Sequence, residues 1–330
     1  MLSGERNPDP NIWSYHLGCI VGESGSGELL QSGGTHIARS GLYLGRYGGG
    51  SGTYSMTGGS ADISALYIGD DPNGKSYGRL ELLSPDAKLN VRGAFKLGRG
   101  ASLAAVPGAT LQMTGGSCQW ANVSTSPSSL AGLGNLGVVF QAQGGTVAPF
   151  EVAGKDLGAS AAGFDTNFAL GSLTLGGPEG AGRLSLVDGN DNQPDWTGAE
   201  ALYVDTLVLN PGAVLDYGGL NLYYANGGPL KQFIHGDCNL DGLVGLADLS
   251  ALAANWQATG ACWATGDLSG DGVASFPDLS ILAANWGRST AGPSPVPIPE
   301  PATVVLLAAG GLAFVKRHRS SRIGFLPHRR

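Results

Sequence analysis

Three short phrases decide how the first two-thirds of this chain reads: LYLG at Leu42–Gly45, LYIG at Leu66–Gly69 and FKLG at Phe95–Gly98. Each sets apolar residues two apart and ends in glycine. Period-two alternation sends one side chain inward and the next outward, which is the pattern of a strand. A second alternating run follows each phrase: GTYSM from Gly52, GRLEL from Gly78 and ATLQM from Ala109. A third comes after it: ADIS at Ala61, AKLNV at Ala87 and CQWANV at Cys118. One unit thus holds three short strands divided by Gly, Ser, Asn or Pro turns, and recurs every 24 to 29 residues. That length suits one coil of a parallel β-solenoid, whose coils bury each other's inward faces. An antiparallel sandwich accepts strands at the same spacing and stays open as the alternative.

Outward from these phrases, residues 121–170 are less regular, and alternation then returns in LGSLTLGG, GRLSLVDG and the run from Leu202 to Ala225. The solenoid-like body is expected to occupy residues 1–229. Its phrase LVLNPGAVLDYGGLNL (Leu207–Leu222) resembles the repeats of exported β-strand proteins, including autotransporter-like passengers. Met1 to Ile20 carries Glu5, Asp9 and two prolines without an apolar run, so it does not read as a signal peptide, and a truncated start is expected.

Glycine supplies 56 of the 330 residues, more than twice the usual share, with no three-residue period to suggest collagen. Six of the 19 Lys and Arg lie after Val315, which leaves 13 basic against 26 acidic residues in the rest, a balance of −13. A body so charged does not seek nucleic acid and suits calcium and an exterior setting.

The second decisive stretch is written twice. GDCNLDGLVGLADLSALAANW runs from Gly236 to Trp256, and GDLSGDGVASFPDLSILAANW from Gly266 to Trp286, offset by 30 residues. A hard dication takes six to eight oxygen ligands, and a short loop supplies them from alternate residues. The first copy offers Asp237, Asn239, Asp241, the carbonyl of Leu243 and, at the twelfth position, Asp248. The second offers Asp267, Ser269, Asp271, the carbonyl of Val273 and Asp278. Gly242 and Gly272 stand where the loop turns sharply. Both loops close with Asp, shorter than the Glu that ends an EF-hand, and neutral Ser269 predicts weaker binding in the second. Val244 and Ala274 are expected to point inward where paired loops pack. Leu249, Leu252 and Ala253, like Leu279, Leu282 and Ala283, fall at helical spacing, and Trp256 and Trp286 are expected to pack on the opposite copy.

From Phe233 to Gly287 this pattern resembles the type I dockerin module, a small α-helical pair of calcium loop–helix segments within a domain expected at 230–287. The resemblance implies two bound Ca2+ ions and a cohesin-like partner. In that family the residues before the closing Asp help choose the partner; here they are Leu246–Ala247 and Phe276–Pro277, unlike the hydroxyl-bearing pairs of the best-known dockerins. Cys238 and Cys262 flank the loops and can form a disulfide in an oxidising compartment, or stand as two free thiols. Cys19 and Cys118 read as strand residues.

A Pro/Ser linker is expected at 288–297. Then come Pro299, Glu300 and Pro301, an apolar run at 302–315 and the basic KRHRSSR. Together, over 298–319, these resemble the PEP-CTERM sorting signal, which implies processing by an exosortase-type enzyme. The apolar run reads as a transmembrane helix with its basic end in the cytoplasm. At 14 residues it spans roughly 21 Å of a core of about 30 Å, so it suits a transient anchor better than a permanent one.

No catalytic residue is assigned. Asp70–Asp71 and Asp188, Asp191 and Asp195 sit in Gly/Asn/Pro-rich text, where Asp is an ordinary turn residue, and His16, His36 and His235 are isolated. The sequence therefore reads as an exported, cell-envelope structural or binding protein. The alternative is a polysaccharide hydrolase or lyase with a β-helix body, since dockerins are commonly attached to such enzymes.

Overall fold

The computed structural model describes residues 18–141, 147–225 and 230–290. The described residues belong to one compact unit, and residues 291–330 lie outside them.

The body is a parallel β-solenoid, which settles the choice against an antiparallel sandwich. Its first sheet stacks Cys19–Val21, Leu42–Leu44, Leu66–Ile68, Ala94–Leu97, Gln119–Asn122, Ala148–Glu151, Arg183–Val187 and Val214–Asp216. Its second holds Ser26–Gln31, Ser51–Met56, Tyr77–Leu82 and Ala101–Ala105. Its third runs from Thr35–Ala38 through Ser60–Ile63, Lys88–Val91, Thr110–Met113, Gly137–Phe140, Leu170–Leu175, Glu200–Leu209 and Asn221–Tyr224. Antiparallel Lys231–Gln232 ends that sheet.

The glycine-terminated phrases lie directly over one another. Leu42 pairs with Leu66, Leu66 with Phe95, Phe95 with Trp120, and Trp120 with Phe150. All five are buried, so the inward position of one coil meets the same position of the next. Ring centroids in the aromatic part of this ladder are 4.8 Å apart for Phe95–Trp120 and 4.9 Å for Trp120–Phe150. The glycine closing each phrase sits where two coils touch. A Cβ on Gly45 would lie 2.1 Å from the Tyr77 carbonyl oxygen, and one on Gly69 2.3 Å from the Gly100 carbonyl carbon. A repeat with a side chain there could not stack.

Two strand assignments change. The second strand of the third unit is Ala101–Ala105, and ATLQM is its third strand, paired in register with Lys88–Val91. CQWANV opens the next coil, in the first sheet. Ala101–Ala105 consists mainly of small residues, and its alternation is too weak to stand out. Farther on, the 3-10 segment Pro127–Asn135 takes the place of a second-sheet strand and buries Leu130 and Leu133, which accounts for the loss of period around it.

The last coil carries two nine-residue helices, α1 (Leu246–Ala254) and α2 (Phe276–Ala284). Their expected boundary at Leu230 is a change of architecture inside one compact unit, because the hydrophobic core continues from the solenoid into Val244, Leu252, Trp263, Leu268 and Leu282. Tyr217 meets Phe233 and His235 edge-on, Phe233 packs on Trp263, and His235 stacks on Trp263 with centroids 5.4 Å apart. Arg183 donates to the Gly270 carbonyl at 2.7 Å, and Tyr224 and Lys231 donate to the Leu240 carbonyl. The helix pair thus covers the C-terminal end of the solenoid.

Candidate metal centre

Each duplicated loop wraps its backbone N–H groups around two buried aspartates. In the first, Asp237 accepts from Asp241 N at 3.1 Å and Gly242 N at 2.8 Å. Asp248 accepts from Cys238 N at 2.7 Å and Gly245 N at 2.8 Å. In the second, Asp267 accepts from Gly270 N at 2.7 Å and Gly272 N at 2.9 Å. Asp278 accepts from Leu268 N, Ser269 N and Ser275 N. The closing aspartates lie in the first helical turn and reach back to accept from the amide of the residue before the helix, Gly245 or Ser275. Gly242 and Gly272 take φ of +87° and +88°, so the sharp turn falls where the repeat places it.

The loops interlock as well as repeat. Loop one pairs with the segment after α2: Val244 N donates to Arg288 O, Gly287 N to Val244 O, and Thr290 N to Gly242 O. Loop two pairs with the segment after α1 through Gln257 N to Ala274 O and Ala261 N to Gly272 O. Val244 and Ala274 are buried as expected, but their backbone partners are these trailing segments. Arg288 to Thr290, placed in the expected linker, are part of this pairing. On the helices Leu252 and Leu282 are buried, whereas Ala253 and Ala283 face solvent and Ala251 and Ile281 pack on the core instead. Trp256 meets Phe276 of the other copy edge-on at 5.1 Å.

The oxygen atoms gather differently in the two loops. Asp267, Asp271 and Asp278 each offer one within 4.8 Å of the others. In the first loop Asn239 is tied to Asp241 by two bonds, Nδ2 to Oδ2 at 2.9 Å and Asp241 N to Oδ1 at 2.9 Å. In the second loop the Ser269 hydroxyl makes a longer, 3.5 Å contact to Asp267. Burial pushes the Asp237 carboxyl up to about 6, with the charges of Asp248 and Asp241 adding and the N–H groups of Gly242 and Asp241 opposing. Burial raises Asp267 in the same way. Buried carboxylates favour a neutralising partner, and an all-oxygen donor set suits a hard dication. The residues therefore fit calcium, which Asp237, Asn239, Asp241 and Asp248 would hold in one loop and Asp267, Ser269, Asp271 and Asp278 in the other, with the Leu243 and Val273 carbonyls.

Of the two alternatives for Cys238 and Cys262, the structure has both as free thiols. Cys238 Sγ is buried against the Gly236 and Asp248 carbonyls, and Cys262 Sγ takes a 3.5 Å contact from Thr265 Oγ1. Asp71 accepts from the Asn73 and Lys75 amides and Asp70 pairs with Lys96 at 2.9 Å, so both have structural partners. His36 hydrogen-bonds Tyr54, while His16 lies outside the described residues. The same holds for Pro299, Glu300, Pro301 and the expected span at 302–315; among the described residues no helix is long and apolar enough to cross a membrane. Sequence reasoning missed the aromatic seam through Tyr217, Phe233, His235 and Trp263. Its only trace in the sequence is the density of aromatics around the first loop.

Residues 297–320 match the family model of the PEP-CTERM protein-sorting motif. No curated protein and no solved structure matches the chain. The motif marks an exported protein handled by an exosortase-type enzyme, and the body it accompanies is a parallel β-solenoid.

Proposed function

We propose that this is a structural or binding protein of the cell envelope whose duplicated loops bind one calcium ion each and thereby lock the helix pair onto the solenoid end. The observation that carries this reading is that Asp237 and Asp267 accept from the equivalent Gly242 and Gly272 amides, and Asp248 and Asp278 from the equivalent Gly245 and Ser275 amides, with the three acidic oxygens of the second loop already gathered. Leu246 and Phe276 occupy equivalent positions at the helix starts and are 72% and 71% exposed, which supports a cohesin-like partner on that surface. The test is calorimetric titration of calcium into the full chain and into an Asp241→Ala/Asp271→Ala variant, both positions being exposed. At calcium concentrations that saturate the wild type, the variant binds two ions fewer. An unchanged count refutes the reading.

A further inference from the structure

We infer that a further calcium site lies on the flank of the solenoid, beneath the loop from Asp188 to Asp195, with Glu200 and Asn192 as its buried oxygen ligands. The loop crosses from the first-sheet strand Arg183–Val187 to the third-sheet strand Glu200–Leu209. Two carboxylates are buried under it, Glu151 and Glu200, each 5% exposed. Glu151 Oε1 accepts from Gly189 N at 2.8 Å and Asn190 N at 2.6 Å, and Glu200 Oε1 from Asn192 N at 2.7 Å. Asn192 is fully buried and spends its amide hydrogens on the carbonyls of Asn122 and Ser124.

This leaves two buried oxygens, Asn192 Oδ1 and Glu200 Oε2, with no partner. With Glu200 ionised both are acceptors and neither satisfies the other; they call for a proton on the carboxyl or for a cation. Exposed Asp188 adds its charge to both buried carboxylates, and Asp191 adds to Glu200. Burial, with these charges, pushes Glu200 up to about 7. Lys155 pairs with Glu200 across the backbone, but its Nζ lies over the Trp196 ring. The donors are oxygens only, and Asp188, Asn190 and Asn192 alternate as Asp237, Asn239 and Asp241 do. Such a donor set, within an acidic loop of an exported chain, selects calcium over thiolate- or imidazole-seeking metals.

The test counts calcium bound to the full chain at equilibrium and follows thermal unfolding in chelator. Glu200→Gln binds one ion fewer than the wild type. In chelator it melts above the wild type, because its new amide can donate to Asn192 Oδ1. The Asp241→Ala/Asp271→Ala chain keeps the ion that Glu200→Gln loses. Should the duplicated loops bind nothing, the count is one in the wild type and none in Glu200→Gln, and this site stands without them. If Glu200→Gln does not fold, exposed Asp188→Asn serves, with at least tenfold weaker binding of this one ion and no change in the others. An equal count in wild type and Glu200→Gln overturns the proposal, as does unchanged affinity in Asp188→Asn. A proton in place of the cation would show as stability gained in chelator from pH 8 to 6 with no ion lost in Glu200→Gln, which also overturns it.

Discussion

Gly69 and Gly48 offer a controlled comparison of what coil stacking costs to break. Their φ angles are nearly equal, +58° and +56°, so alanine meets the same left-handed penalty at each, roughly 1–2 kcal/mol. Their surroundings differ. A Cβ on Gly69 would lie 2.3 Å from Gly100 C, 2.5 Å from Gly100 O and 2.6 Å from Ala101 N, all backbone of the next coil. One on Gly48 meets nothing within 4 Å. Backbone cannot rotate aside as a side chain can, so the coils must separate, and overpacking of this kind costs about 1–3 kcal/mol more. Gly48→Ala is therefore expected to lose about 1–2 kcal/mol and Gly69→Ala about 2–5 kcal/mol. Urea unfolding of the two variants beside the wild type, read as midpoint shifts at constant slope, measures the difference. Equal losses would refute the stacking of these coils.

Further outcomes follow from the same contacts. Trp120→Ala empties the middle of the Phe95–Trp120–Phe150 stack and should cost about 3–5 kcal/mol in urea unfolding; a loss under about 1 kcal/mol would contradict the ladder. Burial lets Asp237 hold its proton to about pH 6 when folded, against an ordinary value of 3.8 in the unfolded chain, so the metal-free folded chain binds more protons than the unfolded one between those values. Its stability contribution accordingly falls as pH rises through that window, and below about pH 6 calcium must displace the proton. First-loop affinity should be about tenfold weaker at pH 5 than at pH 7.5 by calorimetry, and a flat profile would contradict the burial of Asp237. Trp263 donates to the Asp237 carbonyl at 2.9 Å and stacks on His235, so Trp263→Ala should destabilise by about 3–5 kcal/mol and weaken calcium in the first loop. Thermal unfolding and titration of that variant check both effects.

Much of the body was legible because a solenoid repeats its chemistry in register. Leu42, Leu66 and Phe95 are spaced as strands, and the glycine after each phrase marks a backbone contact that admits no Cβ. The reading failed where small residues weaken the alternation, at Ala101–Ala105, and where a 3-10 segment replaces a strand. The duplicated loops were legible for a similar reason, since every ligand candidate lies within twelve residues of its partners. What joins them to the solenoid was not. Tyr217, Phe233 and Trp263 are far apart in the chain and meet only after folding, and local periodicity carries no sign of such contacts. Glu151 and Glu200 escaped notice because a charged residue at the end of a strand reads as solvent-facing. Both are buried by the loop that crosses above them.

The central claim is that calcium in the duplicated loops fastens the helix pair to the solenoid as its end cap. Differential scanning calorimetry of the Glu200→Gln chain, with and without calcium, tests it most directly, because that chain lacks the flank site and reports on the loops. The continuous core predicts one transition that includes the solenoid and moves to higher temperature as calcium is added. A transition that ignores calcium would contradict the account. So would a small calcium-sensitive transition well separated from a calcium-blind solenoid.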